Sequence, residues 1–174
     1  MRNDPDHLLN EQYRNSGNLD ARFEIHERFS TNPYGWHRWV FDQLNLDEHA
    51  RVLELGCGPA YLWTKNSWRM PQGSAIALTD FSAGMLDDAR NALAEDQDHF
   101  SFHQMDAQEL NFDNGSFDAV IANHMLYHVP DRSAVFAHVR RVLADNGTFF
   151  ATTNGNSVPT LGTPHLLKRK STAP

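Results

Sequence analysis

Residues 51–60, Arg-Val-Leu-Glu-Leu-Gly-Cys-Gly-Pro-Ala, constrain this chain more than any other stretch. Val52, Leu53 and Leu55 read as a short buried strand, and Gly56-Cys57-Gly58 as the tight turn that leaves it. Two residues without a Cβ let the turn take unusual backbone angles and let a ligand approach the main chain closely. Pro59 suits the first turn of a following helix, where its missing N–H costs nothing. Glu54 is the exception in this run, a carboxylate set among apolar residues two places before the first glycine. A second apolar strand, Ala75–Thr79, follows and ends in Asp80.

Strand, glycine turn, helix and a second strand closed by an acid form a nucleotide-binding arrangement. A dinucleotide site requires a third glycine three places after the second. That place is Tyr61, which argues against a nicotinamide cofactor. Glu54-x-Gly56-x-Gly58 followed by Asp80 instead resembles the first two motifs of the class I S-adenosylmethionine-dependent methyltransferases. Ala60 stands where that family often has a further glycine. The resemblance runs over roughly residues 19–153.

The rest of the chain alternates in the same way. Phe100–Met105 reads as a third strand ending at Asp106, Phe117–Ala122 as a fourth and Thr148–Thr153 as a fifth. Helices are expected over Tyr61–Trp68, after the Ser82 cap (Met85, Leu86, Ala89 and Leu93 as its buried stripe), and from Pro130-Asp131 onward. Asn114-Gly115-Ser116 and Asp145-Asn146-Gly147 read as turns. Such alternation predicts an α/β fold, a doubly wound and mostly parallel five-stranded sheet with ligands at the carboxyl ends of its strands. Ahead of it, apolar periodicity predicts an N-terminal helical cover over 19–46, two helices separated by Ser30–Gly35. Residues 1–18 are polar and read as a flexible lead-in, and 154–174 as a mobile tail with a basic cluster, Lys168-Arg169-Lys170.

The resemblance assigns roles to the strand ends. Glu54, Gly56, Cys57 and Gly58 form the turn beneath the cofactor, with Glu54 ordering waters or backbone N–H groups near the methionine head. Asp80 is the acceptor for the ribose diol, a task suited to a carboxylate. Phe81 and Met85 pack on the adenine, and Asp106 with Ala107 meets its exocyclic amine. Asn123 and His124 line the transfer site, Tyr127 or His128 is placed to act as a base, and Tyr34 and Trp36 lie over the glycine turn as a lid. His124 and His128 stand at a spacing that metal sites also use, but no third ligand is near in the sequence, and no metal is expected. His103 reads as structural.

Composition bounds the partners. A formal net charge of −7 disfavours a nucleic-acid footprint and suits a small-molecule substrate. Cys57 is the only cysteine, so no internal disulfide forms. No apolar run is long enough to span a bilayer, and a cytoplasmic location is expected. Family members continue beyond the fifth strand through another helix and two strands that this chain lacks, so it reads as truncated. Methyl transfer to a small molecule is the expected function; the alternative is a cofactor-binding module without catalysis, regulatory or part of a hetero-oligomer. An uncovered fifth strand, with Phe149 and Phe150 on it, is expected to pair with a second copy as a homodimer.

Overall fold

The computed structural model describes Gly17, Arg28, Phe29, residues 33–153 and the backbone of residues 165–170. The lead-in and the first expected helix, with Leu19, Phe23 and Ile25, lie outside the described residues.

Among the described residues six strands form one sheet in the order β3-β2-β1-β4-β5-β6. They are β1 (Arg51–Leu55), β2 (Ala75–Asp80), β3 (Phe100–Gln104), β4 (Phe117–Asn123), β5 (Leu143–Thr153) and β6 (His165–Lys170). The first five run parallel, as expected from their nearly continuous apolar character. The chain moves outward from β1 to β3, then returns to the other side of β1 with β4. That reversal opens a crevice at the carboxyl ends of β1 and β4.

Two layers of helix cover the sheet. On one face lie α1 (Trp36–Leu44), α2 (Tyr61–Thr64) and α3 (Ala83–Ala92); on the other lies α4 (Arg132–Val142). Strand β1 divides its side chains between them, Val52 going to the α1–α3 core and Leu53 and Leu55 to the α4 core. This period of two sends Glu54 to the same face as Val52, into the larger core. Trp63 anchors that core with no exposure, edge-on to Phe41 and Phe100. Ser82 caps α3 by accepting from the Met85 N–H, and Asp131 caps α4 by accepting from Ser133 and Ala134. The helix expected over Tyr61–Trp68 is shorter: α2 ends at Thr64 and a single 3-10 turn, Ser67–Arg69, completes the segment. The expected turn at Asp145-Asn146-Gly147 is a bulge inside β5. Phe117 pairs with Leu143, and regular pairing resumes at Ala119 with Thr148.

Residues 165–170 correct the reading of the C-terminal segment as a tail. They pair antiparallel with β5, from Thr148 against Lys170 to Thr153 against His165. The outer edge of β5 is therefore occupied, and the expected dimer through that edge loses its premise. Basic residues disguise this strand, since Lys168-Arg169-Lys170 shows no apolar alternation. Charged residues are ordinary on a strand that ends a sheet, where they discourage pairing with another chain.

Candidate functional site at the strand ends

The glycine turn begins where β1 ends. Gly56 and Gly58 both take left-handed backbone angles, φ +63° and +54°, which explains glycine at each. A further reason holds at Gly56: a Cβ there would stand 2.9 Å from the Met125 Cβ. The close approach that forbids a side chain at this position comes from the chain's own segment after β4. Ala60 is also left-handed, φ +59°, and it is the residue that stands where the sequence pattern favours glycine. Its carbonyl accepts from the N–H groups of Trp63 and Thr64 and so starts α2.

Asp80 closes the turn from the neighbouring strand. Its Oδ2 accepts from the Gly58 N–H at 2.9 Å and its Oδ1 from the Ser82 N–H at 2.8 Å. Burial raises its pKa, and the N–H groups of Ser82, Gly58 and Phe81 oppose that rise. Each oxygen keeps lone-pair capacity beyond the N–H it receives, so the carboxylate can accept further donors. Phe81 is 44% exposed beside it, whereas Met85 is 1% exposed. Met85 thus packs in the core, and the Phe81 ring is the exposed one of the two. Asp106 accepts from the backbone and side-chain N–H groups of Gln108, which fold the loop with Ala107 across the end of β3.

Glu54 lies at the centre of a buried polar network that the sequence did not reveal. It is 2% exposed. Its Oε2 accepts from the Trp63 indole at 2.6 Å and its Oε1 from the Asn123 amide at 3.2 Å. Both partners are side chains of other elements. Desolvation raises its pKa to about 7; the bonds from Trp63 and Asn123 pull the other way, and the charge of Asp80 adds to the rise. Cys57 is buried in the turn, and desolvation, followed by the Asp80 and Glu54 charges, pushes its thiol well up. It is a small packing residue, not a nucleophile.

The segment after β4 opens on His124, whose φ of +50° is costly for a residue with a Cβ. Thr152 of β5 holds it there by accepting the His124 N–H at both its hydroxyl, 3.2 Å, and its carbonyl, 3.1 Å. Tyr127 and His128 follow in the 3-10 turn Leu126–His128, their rings 4.4 Å apart. Among the described residues no group of three histidine, cysteine or acidic side chains is arranged to hold a metal.

Of the two residues expected as a lid, Trp36 packs on the His124 ring and Tyr34 bonds Asp42. The Tyr34 hydroxyl donates to Asp42 at 2.7 Å, and Arg69 bonds the same carboxylate. Those two partners, Tyr34 first, lower the Asp42 pKa and fasten the start of α1 to the turn after α2. Trp36 lies 4.8 Å from the His124 ring, and His37, 4.8 Å from Trp36, reaches Tyr61 at 5.8 Å. Tyr61, His37, Trp36 and His124 therefore form a row of rings from the exit of the glycine turn to the segment after β4. The His37 carbonyl accepts from Asn66, a buried residue that also bonds Leu62. Burial, then the charges of Lys65 and His124, lower the His37 pKa to about 4, so its imidazole stays neutral near pH 7. Nothing in the sequence singled out His37 over its aromatic neighbours.

The methyltransferase-domain family matches residues 53–151, more than half of the chain. The chain is 31% identical over 114 residues to the ubiquinone/menaquinone biosynthesis C-methyltransferase UbiE of Hahella chejuensis, covering 64% of this chain and 46% of the relative. It is 30% identical over 118 residues to the malonyl-[acyl-carrier protein] O-methyltransferase of Legionella pneumophila, covering 67% and 41%. The chain thus spans less than half the length of these curated relatives. Its fold resembles that of phosphoethanolamine N-methyltransferase 2 of Haemonchus contortus, solved in complex with S-adenosyl-L-methionine. There the TM-score is 0.71 at 21% identity, over 90% of this chain and 37% of the other.

Proposed function

This chain belongs to the class I S-adenosylmethionine-dependent methyltransferases, and we propose that it transfers the methyl group of S-adenosylmethionine to a small-molecule acceptor. The observation that carries this reading is the meeting of Glu54, the glycine turn, Asp80 and the His124 segment at the carboxyl ends of adjacent parallel strands. These residues fit the cofactor chemically. Asp80 keeps acceptor capacity for a diol after binding Gly58 and Ser82. Glu54 can offer negative charge to an ammonium group. Phe81 presents an exposed ring for adenine, and Asp106 with Ala107 stands at the next strand end for its amine.

Bound S-adenosylmethionine supplies a methyl carbon made electrophilic by its sulfonium. The task left to the chain is to hold an acceptor atom in line with that carbon and to keep water away. The row Tyr61, His37, Trp36 and His124 supports the second role and gives the acceptor space an aromatic wall. A pKa of about 4 makes His37 too weak a base for an acceptor hydroxyl, so it serves there as a neutral hydrogen-bonding group. Tyr127 and His128 remain the candidates for proton removal. The net charge of −7 favours a neutral or cationic acceptor over a nucleic acid. Among the described residues no helix is long and apolar enough to cross a membrane, and a cytoplasmic location is part of the same proposal.

Calorimetry with S-adenosylmethionine and S-adenosylhomocysteine tests the cofactor, and transfer of label from methyl-labelled cofactor to candidate acceptors tests catalysis. Binding of both ligands with no transfer to any acceptor would leave a binding module. No binding of either would remove the reading.

A further inference from the structure

Thr152 is a buried polar residue on β5 with no role in the reading above, and its hydroxyl sits in a chain of hydrogen bonds that runs from His124 to Glu54. The His124 N–H can only donate, and the Thr152 oxygen accepts from it at 3.2 Å. The Thr152 hydroxyl gives its one proton to the Asn123 side chain, at 3.1 Å. The Asn123 atom that receives it must be the carbonyl oxygen, so the amide nitrogen faces Glu54, at 3.2 Å. At the far end the Trp63 indole, another obligate donor, meets the second Glu54 oxygen. The fold places all four side chains on one face of the sheet, with Asn123 and Thr152 directly paired across β4 and β5. Both Thr152 and Glu54 are buried, at 0% and 2% exposure, so water does not compete with these bonds.

Resting on the cofactor reading, we infer that Thr152 is a positioning residue whose hydroxyl fixes which end of the Asn123 amide faces Glu54, and so sets the ionisation of the carboxylate offered to the cofactor's amino group. Without the hydroxyl, the Asn123 oxygen loses its donor and the amide is free to turn over. The turned amide would present oxygen to oxygen, an arrangement that repels the Glu54 carboxylate and favours its protonated form. The ionisable groups coupled to Glu54 among the described residues are Asp80, from the end of β2, whose charge raises the Glu54 pKa, and Cys57, from the glycine turn, whose thiol is pushed up by the Glu54 charge. Neither lies on β5, so changing Thr152 reaches Glu54 through Asn123 and leaves those charges in place.

The test compares Thr152→Val, which keeps the branched shape and removes the hydroxyl, with Thr152→Ser, which restores the hydroxyl. Urea unfolding of the ligand-free chain is followed from pH 5 to 9, each curve referred to the Glu54→Gln chain to isolate the step that belongs to Glu54. In Thr152→Val that step moves up by about one pH unit, and in Thr152→Ser it returns to the wild-type position. An unmoved step in the valine chain, or a serine chain that behaves like valine, overturns the inference. In the wild-type chain the Asn123 side-chain amide resonances must shift with the same midpoint; amide signals that ignore the titration overturn it without any variant. Titration with S-adenosylhomocysteine at pH 7 reads the consequence for the site, a several-fold weaker affinity in Thr152→Val that recovers at pH 9. A wild-type chain that does not bind S-adenosylhomocysteine would remove the cofactor reading, while the unfolding step still decides the role of Thr152.

Discussion

Replacing Glu54 by glutamine should flatten the pH dependence of folding stability between pH 5 and 8. The Glu54 pKa rises from 4.5 to about 7 on folding, chiefly through desolvation. Below pH 4.5 the carboxyl is protonated in folded and unfolded chains alike and contributes no difference. As pH rises the unfolded chain ionises first, so stability falls, and it goes on falling until the folded carboxyl ionises near pH 7. Each pKa unit is worth 1.36 kcal/mol, so the whole loss is about 3 kcal/mol, of which about 2 kcal/mol falls between pH 5.5 and 8. Glutamine removes this term and brings a different cost. Both Glu54 oxygens face donors, Trp63 and Asn123, so an amide must turn its NH2 toward one of them. That mismatch costs about 1–3 kcal/mol and does not vary with pH. The variant should therefore be less stable than wild type at pH 5.5, with the gap narrowing by about 2 kcal/mol by pH 8. Urea unfolding of both chains at the two pH values is the assay. Wild-type and variant stabilities that run parallel with pH would refute the argument that Glu54 is buried, ionisable and held at a raised pKa.

Cofactor binding should show the reverse of this trend, because an ammonium beside Glu54 favours its charged form: affinity for S-adenosylhomocysteine rises with pH and levels off above about pH 7, with proton release below it, measurable by calorimetry in buffers of different ionisation enthalpy. Asp80→Ala should weaken that affinity by about 1.5–3 kcal/mol, since it removes an acceptor and frees the Gly58 N–H; unchanged affinity in a folded variant would exclude Asp80 from the site. Gly56→Ala should cost about 1–3 kcal/mol of stability in urea unfolding, from left-handed strain and the Met125 contact together; adding Met125→Gly, which removes the Cβ that meets the new side chain, should recover the contact part alone. At Ala60 the expectation is opposite to the usual penalty for glycine: relief of a left-handed alanine should leave Ala60→Gly within about 0.5 kcal/mol of wild type by thermal unfolding.

The local sequence determined the strands, the turn and the acids at the strand ends. Apolar runs of strand length, punctuated by glycine and capped by Ser82 and Asp131, leave little choice about β1 to β4, α3 and α4. Glu54, Gly56, Gly58 and Asp80 stood out because a carboxylate in an apolar run, paired glycines and an acid that closes a strand are anomalies in the local pattern. Residues that look ordinary in the sequence were not legible. Trp63 reads as one more apolar helix residue and Thr152 as one more β-branched strand residue. Their roles arise only when α2 folds onto β1 and β5 pairs with β4 in a register that sets Thr152 beside Asn123. The same holds for His37, which acquires its neutral imidazole from burial, from Lys65 and from the distant His124. Strand β6 shows the limit from the other side, since a basic segment with no alternating pattern pairs because β5 offers it a row of open backbone groups. Hydrogen-bond direction, desolvation and strand register are properties of residues far apart in the chain, and tertiary structure alone decides them.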